Sequence, residues 1–371
     1  MIAPRRDPEI RLRRYWERPD VPVVTAGLSV LSWGYRLALA VRERAYGWRL
    51  LGTGRLSCPV VSVGNVTLGG SGKTPTVELL ARYLRELGAV PAVISRGYGR
   101  DTRGVHVVAD ETGVRLGPRA AGDEPLLLAE RLPGTPVIVG ENRFEAGRVA
   151  TERCRATVVV LDDGFQHRTL HKDLEIVVVN GRAPWGNRRL FPRGMLREPL
   201  SALRRADLVI VTNPPDSASL GAVTATVRRY NDVAPVLTAV YEVLDAQEMG
   251  TGRRASMAEL CRRRLLAFAG LGSLRGFAET LTAAGVDVAG LVEYPDHHWF
   301  AESDLGDLAQ QARAIGAEGL ITTEKDWVRL RERDLPVMPL WVLSVRLRLE
   351  SGREALLQAL GRALVSTGAR R

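Results

Sequence analysis

Short, wholly apolar runs separated by longer amphipathic stretches set the pattern of this chain. Residues 59–63, 92–95, 136–139, 157–161, 174–180 and 208–213 are apolar throughout or nearly so, and too short for helices. Such runs predict strands buried on both faces of a parallel sheet. Between them, 76–87 and 125–131 read as helices, so strands and helices alternate. A second series begins with 265–269 and continues through 286–288 and 319–322. The turn-rich break Asn213-Pro-Pro-Asp-Ser-Ala-Ser219 places a boundary near 212–240. The expected organisation is an N-terminal segment over 1–50, a core over 51–215 and a smaller C-terminal α/β domain over 216–371 that closes over the site. In open parallel sheets, ligands bind beyond the carboxyl ends of the strands, and the polar motifs of this chain follow those ends.

The first of them follows the strand 59–63: Thr67, Leu68, Gly69, Gly70, Ser71, Gly72, Lys73 and Thr74, with a helical pattern behind. Strand, glycine-rich turn and helix form the context of a phosphate-binding loop. The glycines let backbone N–H groups converge on phosphate oxygens, and the helix N-terminus adds positive potential. Lys73 is expected to reach the β- and γ-phosphates of ATP, and the Thr74 hydroxyl to ligate Mg²⁺. Thr67 stands where the strict pattern has glycine. The strand 157–161 then runs into Asp162 and Asp163, as in a Walker B element that holds Mg²⁺ directly or through water. A solvated turn is the alternative for two adjacent acids. Asn213-Pro-Pro-Asp216 has the spacing of a guanine-reading element without its lysine, which argues against guanine selection.

The N-terminus departs from the alternating pattern. Residues 21–35 carry no charge, with arginines before them (Arg11, Arg13, Arg14) and after them (Arg36, Arg42, Arg44). The stretch is shorter than the ~20 residues a spanning helix needs. Val24, Leu28, Leu31 and Tyr35 fall on one helical face, with Trp16, Trp33 and Trp48 nearby, which predicts a helix lying in a membrane interface. A helix packed on the protein's own core is the other reading. A cleaved signal peptide would export a nucleotide site that begins a few turns later.

Composition narrows the partners. The 371 residues suit two domains or one large α/β domain, and 45% hydrophobic and 25% charged residues are ordinary for a globular protein. Fifty-two basic against 42 acidic residues leave a net charge of +10, which suits nucleic acid, an acidic membrane surface or a phosphorylated substrate. The basic residues are scattered, with no Lys/Arg tract interleaved with aromatics, so nucleic acid is not expected. Cys58, Cys154 and Cys261 lie far apart with no metal-ligand spacing, consistent with a reducing compartment.

Taken together, the motifs resemble the tetraacyldisaccharide 4′-kinases of lipid A biosynthesis. Gly64-Asn65 with the phosphate loop through Pro75, Ser95-Arg-Gly-Tyr-Gly-Arg100, Gly122-Asp-Glu-Pro125 and Leu161-Asp-Asp-Gly-Phe-Gln-His167 carry the likeness. So do Arg193-Gly-Met-Leu-Arg-Glu-Pro-Leu200, Pro295-Asp-His-His298 and Thr322-Thr-Glu-Lys-Asp326, in the family's order. The family's first loop position is commonly Ser or Thr, in keeping with Thr67. The resemblance implies a P-loop α/β fold and transfer of the ATP γ-phosphate to the 4′-hydroxyl of a tetraacyldisaccharide 1-phosphate. It implies a peripheral protein on the cytoplasmic face of a Gram-negative inner membrane, with no obligate protein partner inferred. It further implies that Asp123 accepts the hydroxyl proton and His297 partners it, with His298 less central. An N-cap role is the plainer reading of Asp123. Tyr98, Glu124, Arg143, Arg197 and Glu198 are implied to contact the substrate, although surface arginines are an equal reading for the two arginines. Thr323–Asp326 matches without a mechanical role. Two functions of other kinds stay open: a membrane-recruited ATPase switch, and a P-loop kinase for a soluble small molecule.

Overall fold

A computed structural model of the chain describes Trp16 and residues 22–270, 274–335 and 337–368. The basic residues at 11–14 lie outside them, as does the side chain of Val24. The chain forms two compact units, 12–240 with 347–371, and 241–346 with 1–11. These divide the chain later than the expected boundary at 215/216. The helix Ser217–Arg228 and the start of the next strand belong with the first unit, because Val209 to Thr212 pair with Val236 to Ala239 in parallel.

In the first unit the strands are β1 (Val60–Gly64), β2 (Pro91–Ser95), β3 (His106–Asp110), β4 (Gly113–Val114), β5 (Val137–Val139), β6 (Val158–Leu161), β7 (Leu174–Asn180), β8 (Leu208–Thr212) and the beginning of β9 (Val236–Met249). Their order across the sheet is β4-β3-β5-β2-β6-β1-β7-β8-β9. From β5 to β9 all pairs are parallel; β3 and β4 form an antiparallel edge that the apolar pattern does not reveal. The central strands are buried along their whole length, as the uniform apolar runs require. Helices Lys73–Glu86, Asp123–Arg131, Arg143–Glu152 and Ser217–Arg228 follow β1, the β3–β4 hairpin, β5 and β8.

Register brings the motifs together. Ser62 pairs with Leu161, and Leu161 in turn with Ile94, so β1, β6 and β2 end level with one another. Ser95 pairs with Val139, which brings the end of β5 alongside. The loops that begin at Asn65, Asp162, Arg96 and Gly140 therefore leave one end of the sheet side by side.

The second unit is a smaller parallel sheet. β11 (Arg264–Ala269) pairs with β12 (Asp287–Glu293) and β13 (Gly319–Thr323), and β13 pairs with β14 (Leu340–Leu349). The two-residue β10 (Arg254–Ala255) pairs antiparallel with the end of β9. Helices Leu274–Ala283, Glu302–Ala314 and Glu324–Leu330 complete it, around cores that include Leu265, Phe268, Phe277, Phe300 and Trp341.

The N-terminal helix runs Pro22–Gly47, and no described helix is long and apolar enough to cross a membrane. Its two sides differ from the expected single apolar face. Leu28, Ser32, Tyr35 and Arg42 are half-buried, and Ser32, Tyr35 and Arg42 bond to residues 190–198. Val30, Trp33, Leu37 and Val41 are exposed along the other side, joined by Leu31. The reading of a helix packed on the protein's own residues holds for the inward side. The stripe containing Leu28 and Tyr35 packs inward, and a second stripe faces out.

Candidate active site

The phosphate loop owes its shape to glycine conformation and to bracing from a neighbouring loop. Gly69 and Gly72 take left-handed backbone angles (φ 96° and 89°), and the helix starts directly at Lys73, earlier than the pattern suggests. Ser71 is buried, its hydroxyl accepting from Asn65 Nδ2 at 3.0 Å and its carbonyl from Thr212 Oγ1 at 3.0 Å. Asn180 Nδ2 donates to the Gly70 carbonyl at 3.2 Å. Leu68 N–H donates to Met195 O at 2.7 Å and Arg197 N–H to Val66 O at 2.8 Å, so the segment 195–197 pairs with the loop like a short antiparallel strand. That pairing is what brings Arg197 to the site.

Asp162 and Asp163 are adjacent in sequence and differ in chemistry. Asp162 continues the β6 ladder, its N–H donating to Ile94 O at 2.9 Å, and its carboxyl is buried. Ser95 Oγ donates to its Oδ2 at 3.1 Å, while Oδ1 is buried with no hydrogen-bond partner. Burial, then the negative charges of Glu124 and Asp163, push its pKa up to about 7. Asp163 instead turns into the left-handed region (φ 54°). Its carboxylate meets Arg197 Nη1 at 2.7 and 2.9 Å and Lys73 Nζ at 3.6 Å. Burial would raise its pKa, but Lys73 and Arg197 outweigh that and hold it at about 2.

This arrangement suits Mg²⁺. Among the described residues no three His, Cys, Asp or Glu side chains converge to cage a metal. Phosphate-loop sites do not need such a cage, because nucleotide oxygens and waters complete the shell. A buried carboxylate oxygen without a partner, strung between two other acids, is the group that gains most from a cation. Asp162, with the half-buried Thr74 at the head of the helix, fits that role, whereas Asp163 is already neutralised by two cations.

The other residues fall around the same sheet end. Asp123 is not a cap: it is the first residue of the helix Asp123–Arg131, buried, its Oδ1 accepting from Glu124 N–H at 2.9 Å. Gly122 (φ 90°) precedes it, and a side chain there would press on Tyr98 O and Gly97, so the 97–99 loop lies against this turn. Tyr98 itself is exposed. Arg143 opens a helix capped by Asn142, and its buried Nη1 donates to Gly140 O at 2.9 Å. Burial, then the charge of Arg96, lowers the Arg143 pKa, against the nearby charges of Asp162, Asp163 and Glu141. His167 is pushed down to about 4 by burial and by Arg143, Lys172 and Arg96, so it is neutral at pH 7. Glu198 is buried and held by Arg42 of the N-terminal helix at 3.2 Å and by Arg205 at 2.7 Å, which makes it a fastener between that helix and the site. Asp216 caps the helix Ser217–Arg228 by accepting from Ser219 N–H at 2.6 Å, a structural use of the Asn213–Asp216 turn.

In the second unit His297 and His298 part company. His298 is structural: its Nε2 lies 2.8 Å from buried Asp304, and its ring stacks on Tyr294 and meets Phe300 edge-on. His297 takes a left-handed backbone angle (φ 59°), with Nε2 3.9 Å from Asp296. Sequence reasoning passed over Ser95, Asn65 and Tyr35 as site residues. The first two carried a signal, since each is polar at the end of an otherwise apolar run.

The model of the family described as tetraacyldisaccharide-1-P 4′-kinase matches residues 24–364. A tetraacyldisaccharide 4′-kinase of Syntrophus aciditrophicus is 40% identical over 353 residues, 92% of this chain and 94% of that protein. One from Geobacter metallireducens is 42% identical over 309 residues, covering 83% and 89%. A crystal structure of LpxK from Aquifex aeolicus in complex with ATP is similar with a TM-score of 0.73 at 30% identity, covering 92% of this chain and 99% of that one.

Proposed function

This chain belongs to the tetraacyldisaccharide-1-P 4′-kinase family, and from that premise we propose how its residues divide the work. The activity is ATP-dependent phosphorylation of the 4′-hydroxyl of a tetraacyldisaccharide 1-phosphate, a step of lipid A biosynthesis. The hydroxyl oxygen bonds to the γ-phosphorus, the bond from that phosphorus to the β-phosphate oxygen breaks, ADP leaves and the hydroxyl proton passes to the protein. Such transfer depends on positioning and charge neutralisation. Lys73 leaves Asp163 for the β- and γ-phosphates. Asp162 and Thr74 would hold Mg²⁺, which would draw charge from the phosphate oxygens. The buried, partnerless Oδ1 of Asp162 is the observation that carries this assignment.

Asp123 takes the hydroxyl proton, and His297 serves the same proton transfer. Arg143, unsatisfied at Nε and buried, meets phosphate. Arg197, Tyr98 and Glu124 contact the disaccharide, and Glu198 acts by fastening the N-terminal helix beside them. That helix docks on the cytoplasmic face of the inner membrane of a Gram-negative bacterium through Val30, Trp33, Leu37 and Val41 without crossing it. Tryptophan and aliphatic side chains with flanking arginines are the chemistry of an interfacial helix, and the acyl chains of the substrate lie in that interface.

The test is transfer from γ-³²P-labelled ATP to the disaccharide 1-phosphate in detergent, read against free phosphate. Label in the lipid at the 4′-position, dependent on Mg²⁺, is expected. Free phosphate released at the same rate with and without lipid would instead identify an ATPase switch.

A further inference from the structure

The Thr322–Asp326 motif matches the family but has had no task. Contacts of its residues within the second unit converge on the turn that carries His297. Asp326 is completely buried and pairs with Arg329, whose side chain is also completely buried, at 2.9 Å. Together they grip Gly270: its N–H donates to Asp326 Oδ1 at 3.0 Å, and its carbonyl accepts from Arg329 Nη2 at 3.0 Å. Arg329 Nη1 also donates to the His298 carbonyl at 3.3 Å. Thr323 Oγ1 fixes the other carboxylate oxygen of Asp326 at 2.7 Å, and Thr322 Oγ1 ties β13 to Phe268 O at 2.9 Å. On the opposite side of the turn, Lys325 Nζ lies 3.4 Å from Asp296 Oδ1, the same oxygen that accepts from His297 N–H at 3.1 Å.

His297 therefore sits between two anchors, one on the carbonyl of His298 and one on the side chain of Asp296. A buried ion pair returns little net stability, because desolvating both charges offsets their attraction. What it does well is fix geometry. His297 needs that, because a non-glycine residue at φ 59° persists only where its surroundings over-determine it.

We propose that Lys325, through Asp296, is a positioning residue for His297, and that the Asp326–Arg329 pair is the fixed base on which this clamp is built. This rests on the reading of His297 as a catalytic residue. A misplacement of about 1 Å in a catalytic group costs up to about 100-fold in rate, so the clamp bears on kcat and not on nucleotide binding.

The test uses the half-buried Lys325 and Asp296 in place of the Asp326–Arg329 pair, where removing one partner alone would strand a buried charge and destabilise the unit. Lys325→Met and Asp296→Asn in the full chain should each lower kcat for lipid phosphorylation by about 10- to 100-fold. The KM for ATP should stay within about twofold, and Lys325→Arg should restore most of the rate. In a His297→Ala background, Lys325→Met should add almost nothing, because residues that act as a unit are non-additive. Wild-type kcat in Lys325→Met, or losses that multiply fully with His297→Ala, would overturn the clamp while leaving His297 in place. A silent His297→Ala would remove the histidine's role and the clamp's with it.

Discussion

A buried carboxylate oxygen without a partner costs free energy, and Asp162 carries that cost beside Glu124 and Asp163. Asp162→Asn should therefore act in opposite directions on activity and stability. Without its metal ligand the enzyme should lose at least ~100-fold in kcat. The nucleotide-free protein should melt roughly 2–4 °C higher at pH 8, because a buried charge has been replaced by an amide. Kinetics against Mg²⁺ concentration and a thermal melt check both. Unchanged kcat would rule out Asp162 as the metal ligand, and a lower melting temperature would contradict the cost assigned to its buried charge. The sequence showed two acids after a buried strand and could not separate them. What separates them is that Asp162 stays in the ladder while Asp163 turns out toward Arg197, a residue brought in by a loop over thirty positions away.

Elements were legible where burial is uniform. The runs at 174–180 and 208–213 coincide with β7 and β8 within a residue. The long strand Val236–Met249 was missed because its burial alternates irregularly and it carries Tyr241, Glu242, Asp245 and Glu248, so no single period stands out. The N-terminal helix shows a subtler limit. Two apolar stripes run along it, and nothing in hydropathy alone says which one packs inward. The polar residues on the inner stripe decide it: Ser32 donates to Leu190 O, Tyr35 to Arg197 O and Arg42 to Glu198. It follows that charges on the outer stripe should abolish membrane contact without disturbing the site. Trp33→Glu with Leu37→Glu should cut sedimentation with lipid vesicles by at least about 10-fold, since each large apolar side chain buried gives about 1.5–3 kcal/mol. Activity on detergent-dispersed substrate should be retained. Unaltered vesicle binding would place the docking surface elsewhere.

At the scale of the whole molecule, the phosphate loop, Asp123, Asp162 and Arg197 belong to one compact unit and His297 to the other. The sequence disclosed this division of labour only through motif order, because Asp123 and His297 are 174 positions apart in the chain. Local patterning places each in its own motif and does not link the two. The basic surplus of ten charges accords with a substrate that carries phosphate. The central proposal is that Asp123 and His297 take part in one proton-transfer step, and a double-mutant cycle on the two residues tests it most directly. Single-turnover phosphorylation of the disaccharide 1-phosphate should fall by about 10²–10⁴ in Asp123→Ala and in His297→Ala, with ATP affinity little changed. The double variant should be scarcely slower than the worse of the two. Losses that multiply in full would contradict a shared step and leave Asp123 as the base with His297 as a separate binding residue.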